Sequence, residues 1–228
     1  MKMKYIGYVV KLFKIVTSSK EEVKPIMDII NIWYNNVCMK GDDIVDCVSI
    51  NYGSKKWQTL KGFSNFLHNK TQDDICELFI SCKQTGNCFF YLKALNNEMI
   101  KKESGIEEFY LSFNSEHFID IESFKSLINK IYRVFKLDYA YAFALEKNID
   151  IVSEKKVVNH WFSKSVSINQ HDLNRERKMI EIKEGYIPKL YKYNVFNKRQ
   201  LLNLETIKKN PEISLINEQL VFYIDVLP

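Results

Sequence analysis

The residues of this 228-residue chain that could do chemistry are four histidines, five cysteines and several adjacent acid pairs. His68, His117, His160 and His171 fall in no HxxxH, HxH or HExxH spacing, so no zinc-hydrolase helix is written here. Cys38, Cys47, Cys76, Cys82 and Cys88 are odd in number, which makes a poor disulfide framework. Cys76, Cys82 and Cys88 recur every six residues, yet no CxxC pair or adjacent His completes a metal set. They read as buried thiols in a reducing compartment. The pairs Asp42-Asp43, Asp73-Asp74 and Glu107-Glu108 sit at loop or strand edges, and neighbours on a strand point to opposite faces. There is no GxxxxGK, GxGxxG or GxSxG. No complete catalytic site is legible, and the expectation is a protein that is not an enzyme and needs neither cofactor nor metal.

The remaining chemistry is cationic. Residues 147–209 hold 14 Lys and Arg against 7 Asp and Glu, a net +7. The rest of the chain, with 19 basic and 21 acidic residues, is −2. Such asymmetry steers an oppositely charged partner. Within the basic third, Tyr186, Tyr191, Tyr193 and Phe196 interleave with Lys192, Lys198 and Arg199, the pattern that holds single-stranded nucleic acid. No RNP, KH or helix-turn-helix signature accompanies it, so nucleic acid is the alternative partner and a protein the favoured one.

These residues must be positioned by ordinary elements. Lys4–Val16 alternates and is rich in Tyr, Val and Ile, a strand pattern. Ser18 with Glu21, or Ser19 with Glu22, forms a capping box before an apolar stripe from Val23 through Trp33 and Tyr34, predicting a helix to about Val37. A strand is expected over Asp43–Tyr52 and a helix over Lys56–Leu67. Asp74–Lys83 and Cys88–Leu95 read as a hairpin turning at residues 84–87. A strand over Glu107–Phe113, an amphipathic helix over Asp120–Phe135 and a strand over Asp138–Leu145 follow. After Glu146 the pattern is less regular, with a charged run over Asp172–Glu184, a short helix capped by Asn197, and closing strands at Ile213–Ile216 and Leu220–Val226. The predicted fold class is α+β: a mixed, mostly antiparallel sheet with helices packed on it, in one domain over residues 1–228. No stretch reaches the roughly 20 apolar residues of a membrane span, and no signal-peptide pattern opens the chain, so a cytoplasmic monomer or homodimer with no membrane partner is expected.

The most distinctive segment runs from Gly185 to Leu201. Gly185 permits a left-handed turn, Ile187, Leu190 and Tyr191 can anchor the segment on a core, and Asn194 suits local backbone bonding. This segment resembles a motif near the C-terminus of bacterial polymorphic-toxin immunity proteins of the immunity-protein-52 family, written Gly-x-Ile-Arg-Asp-Val-Tyr-Pro-x-Asn. Gly185, Ile187, Leu190, Tyr191 and Asn194 match in place, and Leu201 or Leu202 matches further on. The family's Arg-Asp pair is Pro188-Lys189 here and its Pro is Lys192, so the role of that pair is not carried over. The resemblance implies an immunity protein that neutralises a cognate toxin by direct binding. Gly185, Ile187, Tyr191 and Asn194 are then structural. Lys189, Lys192, Lys198 and Arg199 are the expected contacts to an acidic toxin surface.

Overall fold

The computed structural model describes residues 5–16, 24–37, 44–51, 55–68, 70, 75–82, 88–95, 105–114, 118–146, 149–205, 212–215 and 220–224. The alternating N-terminal run forms β1 (Tyr5–Val16). β6 (Gly105–Phe113) and β7 (Tyr139–Glu146) pair with it on either side, both antiparallel. β6 and β7 therefore run parallel to each other, and the helix between them, α3 (Ile121–Val134), makes the crossover. Asp120 caps α3, accepting from the Ser123 N–H at 2.8 Å. Beyond β6 the sheet continues through β5 (Cys88–Leu95), β4 (Glu77–Cys82), β2 (Ile44–Ile50) and β3 (Lys55–Thr59). Beyond β7 it continues through β11 (Tyr193–Asn197), β13 (Leu220–Ile224) and β12 (Glu212–Leu215). The result is one ten-stranded sheet in which every described pairing is antiparallel.

Period-2 alternation divides the sheet into two faces. Val10 and Leu12 of β1, Phe109 and Leu111 of β6, Ala140 and Ala142 of β7 and Val195 of β11 point to one face. There they meet α1 (Lys24–Val37), α2 (Leu60–Leu67) and α3. Trp33 of α1 is fully buried on this face and donates its indole N–H to the Ser112 carbonyl at 3.0 Å. Pro25 is the second residue of α1, where its missing N–H costs nothing. Phe13, Ile15, Tyr139, Tyr141, Phe196 and Val221 point to the other face. They are covered by a 3₁₀ segment (Met179–Glu184), which follows α4 (Gln170–Lys178), and by α5 (Lys198–Glu205).

Two departures from the sequence expectation are local. The helix expected over Lys56–Leu67 is split: Lys55–Thr59 pairs with β2, and Thr59 is extended and caps α2 by accepting the Gly62 N–H at 3.2 Å. A Thr side chain that satisfies a helix N-terminus cannot also continue the helix upstream. The second departure is in strands that were not expected: β11 of the large sheet, and a small sheet of β8 (Ile149–Asp150), β9 (Lys155–Asn159) and β10 (Lys164–Val166). The small sheet's polar, Lys-rich strands are half-buried to exposed and lack the apolar alternation of a strand on a core. The capping box at residues 18–22, the turn at 84–87 and Cys38 lie outside the described residues. Cys76 is half-buried and Cys88 buried, and neither is in a disulfide.

Candidate functional site

Gly185 ends the 3₁₀ segment at φ 107°, with its N–H donating to the Ile182 carbonyl at 3.1 Å. A Cβ there would lie 2.6 Å from Asn203 Nδ2 and 3.2 Å from the Arg199 carbonyl oxygen, so α5 packs where a side chain would be. The amides of α5 and its cap staple this turn. Asn203 donates to the Gly185 carbonyl at 3.0 Å, Gln200 to the Tyr186 carbonyl at 2.7 Å, and Asn197 to the Ile182 carbonyl at 2.8 Å. Asn197 and Gln200 also accept each other's backbone N–H, a reciprocal cap that starts α5. Ile187 and Leu190 pack against the second-face core. Asn194, 0 % exposed, accepts the Tyr191 N–H at 3.1 Å and donates to the Tyr191 carbonyl at 2.5 Å. The segment from Gly185 to Asn194 is thus a fixed loop that delivers Tyr191 to the sheet.

Tyr191, 9 % exposed, lies flat on Tyr141 with ring centroids 3.9 Å apart, and its hydroxyl donates to Glu154. Glu154 is the hub. Its Oε1 accepts from Lys11 Nζ at 2.7 Å and from the Tyr141 hydroxyl at 2.5 Å. Its Oε2 accepts from Tyr191 and has Lys189 Nζ at 3.9 Å. Lys11, 2 % exposed at the centre of β1, also donates to the Val152 carbonyl at 3.1 Å and lies 4.6 Å from the Tyr110 ring centroid. Burial pushes the Lys11 ammonium below its usual range, partly offset by Glu154. Burial would raise the Glu154 carboxyl, but the Lys11 charge and the hydrogen bonds from Lys11, Tyr141 and Tyr191 outweigh it and hold the group below the usual carboxylate value. Burial and Glu154 push the Tyr141 and Tyr191 hydroxyls up, so both stay protonated donors.

Beside this cluster lies a cavity of about 30 Å³ lined by Lys11, Glu108, Tyr110, Tyr141, Arg175 and Pro188. That is room for water, whereas small-molecule sites run to roughly 300 Å³ or more. The Glu154 oxygens are occupied by groups of the chain itself, so the cluster is built to hold elements together. Glu154 has φ 58°, uncommon for a residue other than glycine, at the end of the turn between β8 and β9. Asp150 steadies that turn by accepting the Ser153 N–H at 2.7 Å and its hydroxyl at 2.6 Å. The signal available in sequence was Lys11, a charge in register with the apolar residues Val9 and Phe13; its partner, 143 residues away, had none.

The four expected contact cations do not share one face. Lys189 sits 4.9 Å from the Tyr191 ring on the second face, and Lys198 and Arg199 open α5 on that same side. Lys192 instead lies 5.1 Å from Tyr193 and 5.8 Å from Phe118, whose rings pack on the first face with α1, α2 and α3. Three of the four interleaved aromatics, Tyr191, Tyr193 and Phe196, are buried and are not platforms for stacked bases, while Tyr186 is half-buried against the second-face core. Among the described residues no helix is long and apolar enough to cross a membrane, and no group of three or more His, Cys, Asp or Glu is placed to hold a metal ion.

The hairpin of β9 and β10 extends from the Glu154 hub. Its strands pair in register from Val157↔Val166 to Asn159↔Lys164, and the His160 N–H donates to the Ser163 carbonyl at 2.8 Å to close the turn. Lys155 at its base pairs with Asp172 and donates to the Ser167 carbonyl at 3.1 Å, tying the hairpin to α4. Trp161 and Phe162 occupy the tip, 93 % and 95 % exposed, with ring planes 14° apart and centroids 6.2 Å apart.

No family model matches this chain, and no curated protein matches it. Among solved structures it is similar in fold to a Pseudomonas aeruginosa T6SS protein, PA0821, at 7 % sequence identity and a TM-score of 0.54, over 95 % of this chain and 68 % of that one.

Proposed function

We propose that this chain is an immunity-type protein that neutralises a cognate bacterial toxin in the cytoplasm by direct binding, without catalysing a reaction. The observation that carries this reading is the likeness in fold, over 95 % of the chain, to a Pseudomonas aeruginosa T6SS protein. The resemblance of Gly185, Ile187, Leu190, Tyr191 and Asn194 to the immunity-protein-52 motif supports it from the sequence side. A rigid sheet whose two faces are both covered suits an inhibitor, because a preordered surface loses little entropy on binding. Nucleic acid is the weaker partner, since Tyr191, Tyr193 and Phe196 of the basic, aromatic-interleaved segment are buried.

The test is co-expression with the product of each adjacent reading frame as the candidate toxin. The reading expects the toxin to be lethal alone and harmless with this chain, and the two to co-elute as a complex. A toxin that stays lethal and elutes apart from this chain overturns it.

A further inference from the structure

Among the residues whose side-chain burial is described, Trp161 and Phe162 are the only exposed Trp, Phe or Tyr, whereas Trp33 is fully buried and Trp57 half-buried. Large aromatics held in water at the tip of an ordered hairpin are the residue types that dominate binding hot spots. The tip is preorganised: the turn is closed, the His160 ring is 2.8 Å from the Ser165 hydroxyl, and the base is clamped through Lys155–Asp172 and Glu154–Lys11. Residues 155–178 carry six Lys and Arg against two Asp and Glu, and Lys156, Lys164, Arg177 and Lys178 are exposed.

We propose that the β9–β10 tip, through Trp161 and Phe162, is the primary anchor by which this chain docks into an apolar cleft rimmed by carboxylates on its toxin partner. The proposal rests on the toxin-neutralising reading and moves the leading contacts away from Lys189, Lys192, Lys198 and Arg199. Two features point to a protein cleft. The cations around the arm call for acidic neighbours. Exposed apolar side chains continue from the tip along the arm at Val158 and beyond it at Ile168 and Leu173.

The experiment compares wild type with Trp161→Ala/Phe162→Ala and with Lys192→Glu/Arg199→Glu, titrated against the adjacent-frame toxin, each variant first shown to melt like wild type. The tip variant should bind at least about 30-fold more weakly, the loss typical of an aromatic hot spot, and should no longer protect cells. Wild-type binding retained by the tip variant and lost by the charge-reversed one overturns this proposal while the toxin-neutralising reading stands. No binding by wild type overturns both. Retention of wild type on phosphatidylglycerol vesicles, or a dimer of the chain alone, either of them abolished by the tip variant while toxin affinity is unchanged, reassigns the tip and overturns the proposal.

Discussion

Glu154 holds its position because three side-chain donors from distant parts of the chain converge on it. Removing one donor differs in kind from removing the cation. Tyr191→Phe deletes a hydrogen bond to a charged acceptor and keeps the ring stacked on Tyr141, so a loss of about 1.5–3 kcal/mol is expected in urea unfolding. Tyr191→Ala also loses the buried ring and should cost about 3–5 kcal/mol. If Tyr191→Ala unfolds at the wild-type urea concentration, the hub is not a stability element. At Gly185 the expectation comes from geometry: with φ 107° and an amide 2.6 Å from the new Cβ, Gly185→Ala should destabilise by about 1–3 kcal/mol. An unchanged thermal midpoint would show that α5 shifts to accommodate the methyl group.

At the scale of elements, the Lys11–Glu154 pair ties the small sheet to the central strand of the large one. A buried pair contributes less than the loss caused by breaking it, since removing one member leaves the other charge unpaired. Lys11→Met should therefore cost about 3–5 kcal/mol, and Lys11→Met with Glu154→Leu should recover part of that loss. The recovery, measured as a coupling free energy in a double-mutant cycle, should exceed about 0.5 kcal/mol. Amide hydrogen exchange in Lys11→Met should accelerate in β8 to β10 before it does in β1, β6 and β7. Uniform acceleration would mean that the pair supports the whole sheet and not the arm.

For the whole molecule, the hub sets an acid limb. Because the folded Glu154 carboxyl lies below its ordinary value of 4.5, the unfolded chain takes up that proton first as the pH falls. Its stabilisation is present above that value and is lost on further acidification. Asp138 acts with the opposite sign. Burial raises its carboxyl despite the Ile15 N–H at 2.8 Å and the Lys183 charge, so its cost is relieved as acid protonates it. The thermal midpoint should fall between about pH 5 and pH 3, and Glu154→Gln should flatten that limb. Equal acid slopes in the two proteins would remove Glu154 from the account.

Much of this architecture was written locally. The two-residue alternation of β1, β6 and β7 and the stripe of Phe124, Leu127, Ile128 and Ile131 on α3 declare strand, helix and buried face, because burial selects side chains with the period of each element. The same is true of Gly185, whose left-handed turn no residue with a side chain adopts as readily, and of Asn197, which caps α5. Tertiary structure alone decided that β6 and β7 would flank β1, since hydrogen-bond ladders match any two strands of suitable length and the partner is chosen by packing across both faces. It alone decided that Lys11 would meet Glu154, because a charge attracts any opposite charge and only the fold brings this one within 2.7 Å. And it alone separated Trp161 and Phe162 from Phe196: all three are large aromatics of the basic third, and what leaves the first two in water is that the hairpin carrying them packs at its base and not at its tip.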